Sequence, residues 1–564
     1  MRICIVSFLA GIAFLSHADG ALTRTRIDPT RVVASAGAED VDLILGKRFG
    51  QVPEGAWSRG SGCILTGDVG QAWIILDFGR ELHGGVRIVS GAPSKKGARI
   101  RLRFGESVSE ACSTVGERGA SNDHAIRDDE VRLPAFGSRY FGDTGFRFVR
   151  IDKLDPAPLQ LEAVMAEEIV RDLPRRGAFR CNDERVNRVF ETAVRTVHLC
   201  LQDYVWDGIK RDRLVWQGDM HPELMSALAV FGDTAVFRRS LDYMRDITPA
   251  GEPMQGIATY TLWWIRCQRA LYDYAGDLGY LREQSGYLAH IVEKYAAKPA
   301  ACSNQGMDSF LDWPTHANKN AEAVGARALA VLAFDDAAFL AAALGDPMTR
   351  RRAEDAASRL RSRPFDPSGN KQAAALCALA GTMSQERAFN EFLGCDGVRG
   401  VSTFYGYYML QAISSAGQTA TGLGILRDYW GGMLDMGATS FWEDFDIAWT
   451  NGAFRIDEMP VSGKKDIHGD YGQYCYKGFR HSLCHGWSSG PAAWLINHVL
   501  GIRPLEPGCN RVVVRPDLGD LVWAEGSMAL PQGGTVRVHV EKEESGRLKV
   551  MAFAPDGVEL VVES

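Results

Sequence analysis

The hydrophobic period of the chain changes twice, from two to about 3.6 and back to two, so any fold must order a β-rich, a helical and a second β-rich region. Between about residues 24 and 172, the runs Ala72–Phe78, Val86–Val89, Ala98–Phe104 and Phe146–Ile151 are short, β-branched or alternating, and separated by Gly- and Pro-containing turns. Ile100, Leu102 and Phe104 fall on one face of the third run and arginines on the other, the pattern of a half-buried antiparallel strand. From there to about residue 500 the apolar spacing is helical. Asn182 is placed to cap a helix carrying Val186, Phe190, Ala193, Val194 and Val197, and Asp233 one carrying Val236, Phe237, Leu241 and Met244. Further helical segments follow at 261–274, 278–295, 321–344, 347–360, 371–380, 407–413 and 425–436. About a dozen helices of ordinary length fill this span, and the absence of a fixed-period repeat favours hairpins closed into a ring over an open solenoid. Beyond Gly501, Arg511–Arg515, Thr535–Val540 and Leu548–Phe553 alternate again.

The expected division is therefore an N-terminal β-sandwich over 24–172, a helical domain over 178–500 and a small C-terminal β-sandwich over 501–564. A chain of 564 residues is too long for one core and fits this division. The first eighteen residues read as a signal peptide: Arg2, an apolar run from Ile3 to Leu15, and small residues Ser16 and Ala18. That run is well short of the roughly 20 residues that span a bilayer, so a periplasmic or secreted protein without a transmembrane segment in the mature chain is expected. Cys4 lies in this leader, and the other eleven of the twelve cysteines are scattered with no C-x-x-C pair, which argues against a zinc site. A net charge of −7 argues against a nucleic-acid partner.

One stretch is too polar for core: Asp207-Gly-Ile-Lys-Arg-Asp212-Arg-Leu-Val-Trp216-Gln-Gly-Asp219-Met-His-Pro-Glu223. Pro222 suits the first turn of a helix running through Leu228, which makes 207–219 the loop leading into it. A hydrolase using two carboxylates needs one protonated and one ionised. Crowding of Asp207, Asp212, Asp219 and Glu223 raises the proton affinity of at least one, while Lys210, Arg211 and Arg213 hold others ionised. Trp216 offers an apolar wall for a carboxyl or a sugar ring. The competing reading is a surface loop with a salt-bridge network.

Three other segments can supply partners. Trp442-Glu443 within Thr439–Asp446 would set a carboxylate beside an aromatic ring; alternatively the Trp is core and the acids are exposed. His485 and Trp487 open the last helix of the region, where a histidine more often packs than binds. In Phe310-Leu-Asp312-Trp313-Pro314, Asp312 can bind hydroxyls or cap a turn.

Together these segments resemble the bacterial α-L-rhamnosidases of the six-hairpin, (α/α)6-barrel type. Asp207, Arg211, Asp212, Trp216 and Gly218-Asp219 match the family's central motif, Trp442-Glu443 its later Trp-Glu, and His485 its histidine before the last barrel helix. Pro507-Gly508 and Arg515-Pro516 match its passage into the C-terminal domain, and Asp77-Phe-Gly-Arg-Glu81 an N-terminal strand end. The resemblance implies an inverting glycosidase acting on α-L-rhamnosides or a close deoxy-sugar relative, without a cofactor. Asp212 would be the general acid and Glu443 the general base. Asp207, Arg211, Trp216, Asp219, Asp312, Trp313, Trp442, His485 and Trp487 would form the sugar site. The family usually has Glu at the position of Asp212 and Asp-Cys-Pro at Asp207-Gly-Ile. A polysaccharide lyase using Tyr405, Tyr407, Tyr471 or His485, and a carbohydrate-binding protein without catalysis, are the other readings the residues leave open. Oligomeric state is not encoded legibly.

Overall fold

The computed structural model describes residues 20–45, 62–91, 97–297 and 309–563. The expected signal peptide lies outside these residues. None of the described helices is long and apolar enough to cross a membrane.

The N-terminal region is a nine-stranded antiparallel sheet. Its centre differs from the short strands expected. The runs around Ile75 and Ile88 are one strand, Trp73–Gly91, which pairs with Arg31–Ala36 over its first part and with Leu159–Arg171 over its last. Its register against Gly137–Lys153 shifts between Asp77 and Leu82. A bulge of this kind lets a long strand bend without ending. Local turn signals at Gly79 and Gly84–Gly85 therefore mark the irregularity and not a break. Ile74, Leu76, Val86, Ile88, Leu102, Phe104, Phe146 and Val149 form a core separate from that of the helices.

In the helical region, Met220–Val230, Ala258–Ala275, Lys319–Leu344, Lys371–Leu379, Gly406–Ser415 and Gly490–Trp494 each pack on the next, and the last returns to the first. Glu184–Cys200, Ala235–Ile247, Leu278–Ala297, Pro347–Arg361 and Thr419–Asp435 lie against this cycle. Two caps differ from expectation. Asp183 rather than Asn182 accepts from the first-turn amides of Arg185 and Val186, and Asn182 instead accepts from Val522 N at 2.8 Å. Thr234 rather than Asp233 immediately precedes its helix, and Asp233 pairs with Arg238.

The C-terminal region contains a four-stranded and a three-stranded sheet. The strand Ala178–Cys181, from before the first helix of the helical region, pairs with Trp523–Ala529 in the four-stranded one. Val512, Ala524, Val536 and Val540 share one apolar core with the helices. None of the ten cysteines among the described residues is joined to another.

Candidate active site

The polar stretch 207–219 lies where the N-terminal sheet meets the helices, and three of four consecutive residues are held from the sheet side. Lys210 Nζ lies 3.0 Å from Glu106 Oε2 and 3.2 Å from Glu110 Oε1, and donates to Phe479 O at 2.8 Å. Arg213 donates to Asp143 O at 2.7 Å and its guanidinium stacks over Trp206. Between them, Asp212 Oδ1 lies 3.3 Å from His124 Nε2. Asp212 and Arg213 both have positive φ, 54° and 57°. Non-glycine residues in that region carry roughly 1–3 kcal/mol of strain, which the clamps on either side sustain.

Glu106, Glu110 and His468 also have ligand atoms close enough to hold a metal ion. The Lys210 ammonium, 3.4 Å from His468 Nε2, already supplies the positive charge that this donor set calls for. Glu106 passes the restraint onward by accepting from Leu483 N at 2.6 Å. Ser107 Oγ lies 2.8 Å from His468 Nδ1, whose other nitrogen is 3.0 Å from His481 O. These acids follow a strand, where acids are by default solvated. The sequence contains no local signal that they are buried.

The helical side supplies Glu443, 1% exposed. One oxygen forms an ion pair with Arg211 and the other accepts from Ser482 N at 3.2 Å. Its backbone is fixed as well: its carbonyl accepts from Thr403 Oγ1 at 2.5 Å and from Trp487 Nε1 at 2.9 Å. Burial raises the proton affinity of Glu443, and Arg211 opposes that rise. The negative charge of Asp212 is near enough to add to it. Arg211 thus brings two distant acidic residues to one place.

Asp219 begins the helix Met220–Val230, and its Oδ2 lies 3.2 Å from His485 Nε2. Gly218 is required there because a Cβ would come within 2.2 Å of the Tyr260 ring. Asp207 is buried; one oxygen accepts from Leu214 N at 3.0 Å, and the other has no hydrogen-bond partner among the described residues. Burial, with Asp219 and Asp212 nearby, pushes its carboxyl well above the usual range. Glu223, which the sequence groups with these acids, is likewise buried and shifted well upward. It packs so closely on Gly486 that a Cβ there would meet its Oε1 at 2.3 Å. Trp216 donates from Nε1 to Asp212 Oδ2 at 3.0 Å, so its ring orients the acid directly.

The remaining expected residues divide. Trp487 stacks on Phe404, with ring centroids 5.2 Å apart, beneath Glu443. Half-buried Trp313 stacks on exposed Tyr474 at 5.4 Å and presents an aromatic surface. Trp442 is 1% exposed and packs edge-on against Phe445, so it is core behind Glu443 rather than a wall facing a ligand. Asp312 caps Trp313–His316 through Thr315 N and accepts from Ser402 Oγ, so each of its oxygens already has a partner within the protein. Tyr405 and Tyr407, the bases of a lyase reading, are fully buried, and burial raises both phenols. Among the described residues around this stretch, His124, the Glu106–Glu110 pair and Tyr474 are ones that the sequence reading did not name.

Residues 174–365 match the model of the bacterial alpha-L-rhamnosidase 6 hairpin glycosidase domain, and residues 68–170 that of the bacterial alpha-L-rhamnosidase concanavalin-like domain. The chain belongs to the bacterial alpha-L-rhamnosidase family. Within this family, an alpha-L-rhamnosidase of Streptomyces avermitilis is 21% identical over 86% of this chain and 47% of its own length. The structure is similar to that of a GH78 family rhamnosidase of Bacillus sp. GL1, with a TM-score of 0.71 and 22% identity over 87% of this chain and 53% of that one. It is also similar to a Klebsiella oxytoca rhamnosidase with rhamnose bound, at TM-score 0.66 and 20% identity, covering 85% of this chain and 96% of that one. This rhamnosidase-family chain thus spans about half the length of the first two. The structural likenesses establish a shared mixed fold, with N-terminal β-sheet and a helical centre.

Proposed function

We propose that the chain is an inverting glycosidase releasing α-L-rhamnose, or a closely related deoxy sugar, from glycosides or oligosaccharides, on an (α/α)6-barrel catalytic domain. The observation that carries the reading is the Arg211–Glu443 ion pair. It holds a buried carboxylate, 232 residues away in sequence, beside the residue next to Asp212. One acid is partly open and oriented by an indole N–H; the other is enclosed and paired with a guanidinium. The two carboxyls thus stand in unequal surroundings, one reached from solvent and one enclosed, which suits them to different tasks.

In this reading Asp212 protonates the departing glycosidic oxygen. Glu443, kept ionised by Arg211, takes a proton from the water that attacks the opposite face of the sugar. Two carboxyls about 6.5–9.5 Å apart leave room for that water and give inversion. Asp219 with His485, Asp207, and the Trp313–Tyr474 platform surround the sugar. The leading residues and the family support a periplasmic or secreted protein with a carbohydrate partner.

The test is a panel of aryl glycosides, with α-L-rhamnoside set against α-L-fucoside and β-linked sugars. Release from the rhamnoside, with a β-configured product seen first by NMR, is the expected result. Turnover unchanged in both Asp212→Ala and Glu443→Ala would overturn the assignment. An unsaturated product absorbing ultraviolet light would indicate a lyase, and sugar binding without turnover a binding protein.

A further inference from the structure

His124 has no place in the mechanism above, yet it reaches Asp212 from a different region of the chain. It sits between the 3-10 turn Glu117–Gly119 and the strand Asp128–Leu133, in a loop of the N-terminal β-region. Asn122 pins that loop by accepting from the amides of Arg127 and Asp128 at 2.9 and 3.1 Å. Arg127 anchors it further, donating to Thr144 Oγ1 and Gly145 O, both at 2.6 Å. The imidazole is therefore carried on a braced loop. Its Nε2 lies 3.3 Å from Asp212 Oδ1 and 3.4 Å from Asp123 Oδ2. Glu110, Arg127, Lys210, Arg211 and Arg480 line the small space around it.

The two oxygens of Asp212 are not equivalent. Oδ2 accepts the Trp216 N–H, which leaves Oδ1 as the atom to carry a proton, and Oδ1 is the one facing His124. When Asp212 is protonated, Oδ1–H donates to a neutral Nε2; when it is ionised, a protonated imidazole donates to Oδ1. One proton is held on the same line in both cases. The His124 side chain is 25% exposed and Asp212 17%, so the pair bridges solvent and cleft.

We propose that His124 is a positioning and proton-supplying partner of Asp212, forming with it a two-residue acid assembled across the boundary between the β-region and the helices. This rests on the glycosidase reading above. During cleavage the C1–O bond breaks, its electron pair stays on the leaving oxygen, and that oxygen takes the Oδ1 proton. Water adds to C1 and gives a proton to Glu443. Asp212 is left as a carboxylate beside a neutral imidazole, which takes up a proton from solvent as Glu443 returns its own proton there, and passes it to Oδ1. Because His124 acts through Asp212, its removal should matter only where the leaving group needs a proton.

The experiment compares wild type, His124→Ala and His124→Gln on two α-L-rhamnosides, one with an alkyl leaving group and one with a dinitrophenyl group that departs unaided. Both variants are expected to lose about tenfold or more in kcat on the alkyl glycoside, a part of what general acid catalysis contributes. On the dinitrophenyl glycoside they should lose less than about threefold by the same principle. KM stays put, and added imidazole restores part of the alanine variant's activity on the alkyl substrate. Equal losses on both substrates, full activity in His124→Gln, or no loss at all would overturn the proposal and leave the glycosidase reading standing. A wild type inert toward both glycosides would remove that reading, and this inference with it.

Discussion

The two acids of the site are held in opposite ways. Glu443 is enclosed by the helical region: an ion pair and a backbone amide take its carboxylate, and a threonine and a tryptophan take its carbonyl. Asp212 sits on left-handed backbone at the meeting of two regions, with an indole on one oxygen and an imidazole from the β-region on the other. The interfaces differ in the same sense. The C-terminal sheet shares an apolar core with the helices, whereas the N-terminal sheet meets them through Lys210, Glu106, Glu110 and His468. An apolar contact tolerates small slips at little cost, but buried charges must keep their partners. The polar interface therefore fixes position, and it lies beside Asp212, the residue proposed as the proton donor.

Breaking the enclosed half should have the largest effect. Glu443→Gln is expected to lower kcat by about 10²–10⁴, the range for a positioned acid or base, with little change in circular dichroism. Arg211→Met leaves Glu443 buried without its cation, so denaturant unfolding should show a loss of about 3–5 kcal/mol, together with lost turnover. Lys210→Met tests the polar interface: Glu106 and Glu110 then face each other without an ammonium, and melting temperature should fall more than for Arg515→Met, whose partner Glu563 is exposed. On the open half, Trp216→Phe removes one hydrogen bond to Asp212, and a loss of about 1.5–3 kcal/mol of transition-state stabilisation should appear in kcat/KM.

A smaller effect follows from pH. Burial, with Glu443 alongside, raises the Asp444 carboxyl from 3.8 to about 7. A group raised on folding favours the native state most at low pH, and that contribution is lost as pH rises through its folded value. Asp444→Asn, which keeps the oxygen that accepts from Phe445 N, should therefore gain melting temperature relative to wild type between about pH 4 and pH 7. A difference that stays flat across this window would show that Asp444 is not carrying the shift.

Much of this was legible from residue order. The period changes placed most helices to within a few residues, and the crowding of Asp207, Asp212, Asp219 and Glu223 around Trp216 singled out the stretch proposed as the site. Burial was not legible. For Trp442 the sequence leaves open a sugar platform or a core residue, and for Asp312 a hydroxyl binder or a turn cap; the structure buries Trp442 and sets Asp312 at the cap of Trp313–His316. In both, short sequence motifs state which groups are near in the chain but not which face water. The bent strand Trp73–Gly91 was misread for a related reason: a bulge and a turn use the same glycines, and only the partner strands distinguish them.

The sequence by itself determined the order of regions, the family and the acids of the central stretch, since periodicity and local chemistry are properties of neighbours along the chain. Tertiary structure alone decided that Arg211 pairs with Glu443, that Lys210 stands where a cation would bind, and that His124 meets Asp212. Each depends on groups brought together from segments far apart in the chain. The energy that fixes them comes from burying charge beside charge, which no local pattern of residues records.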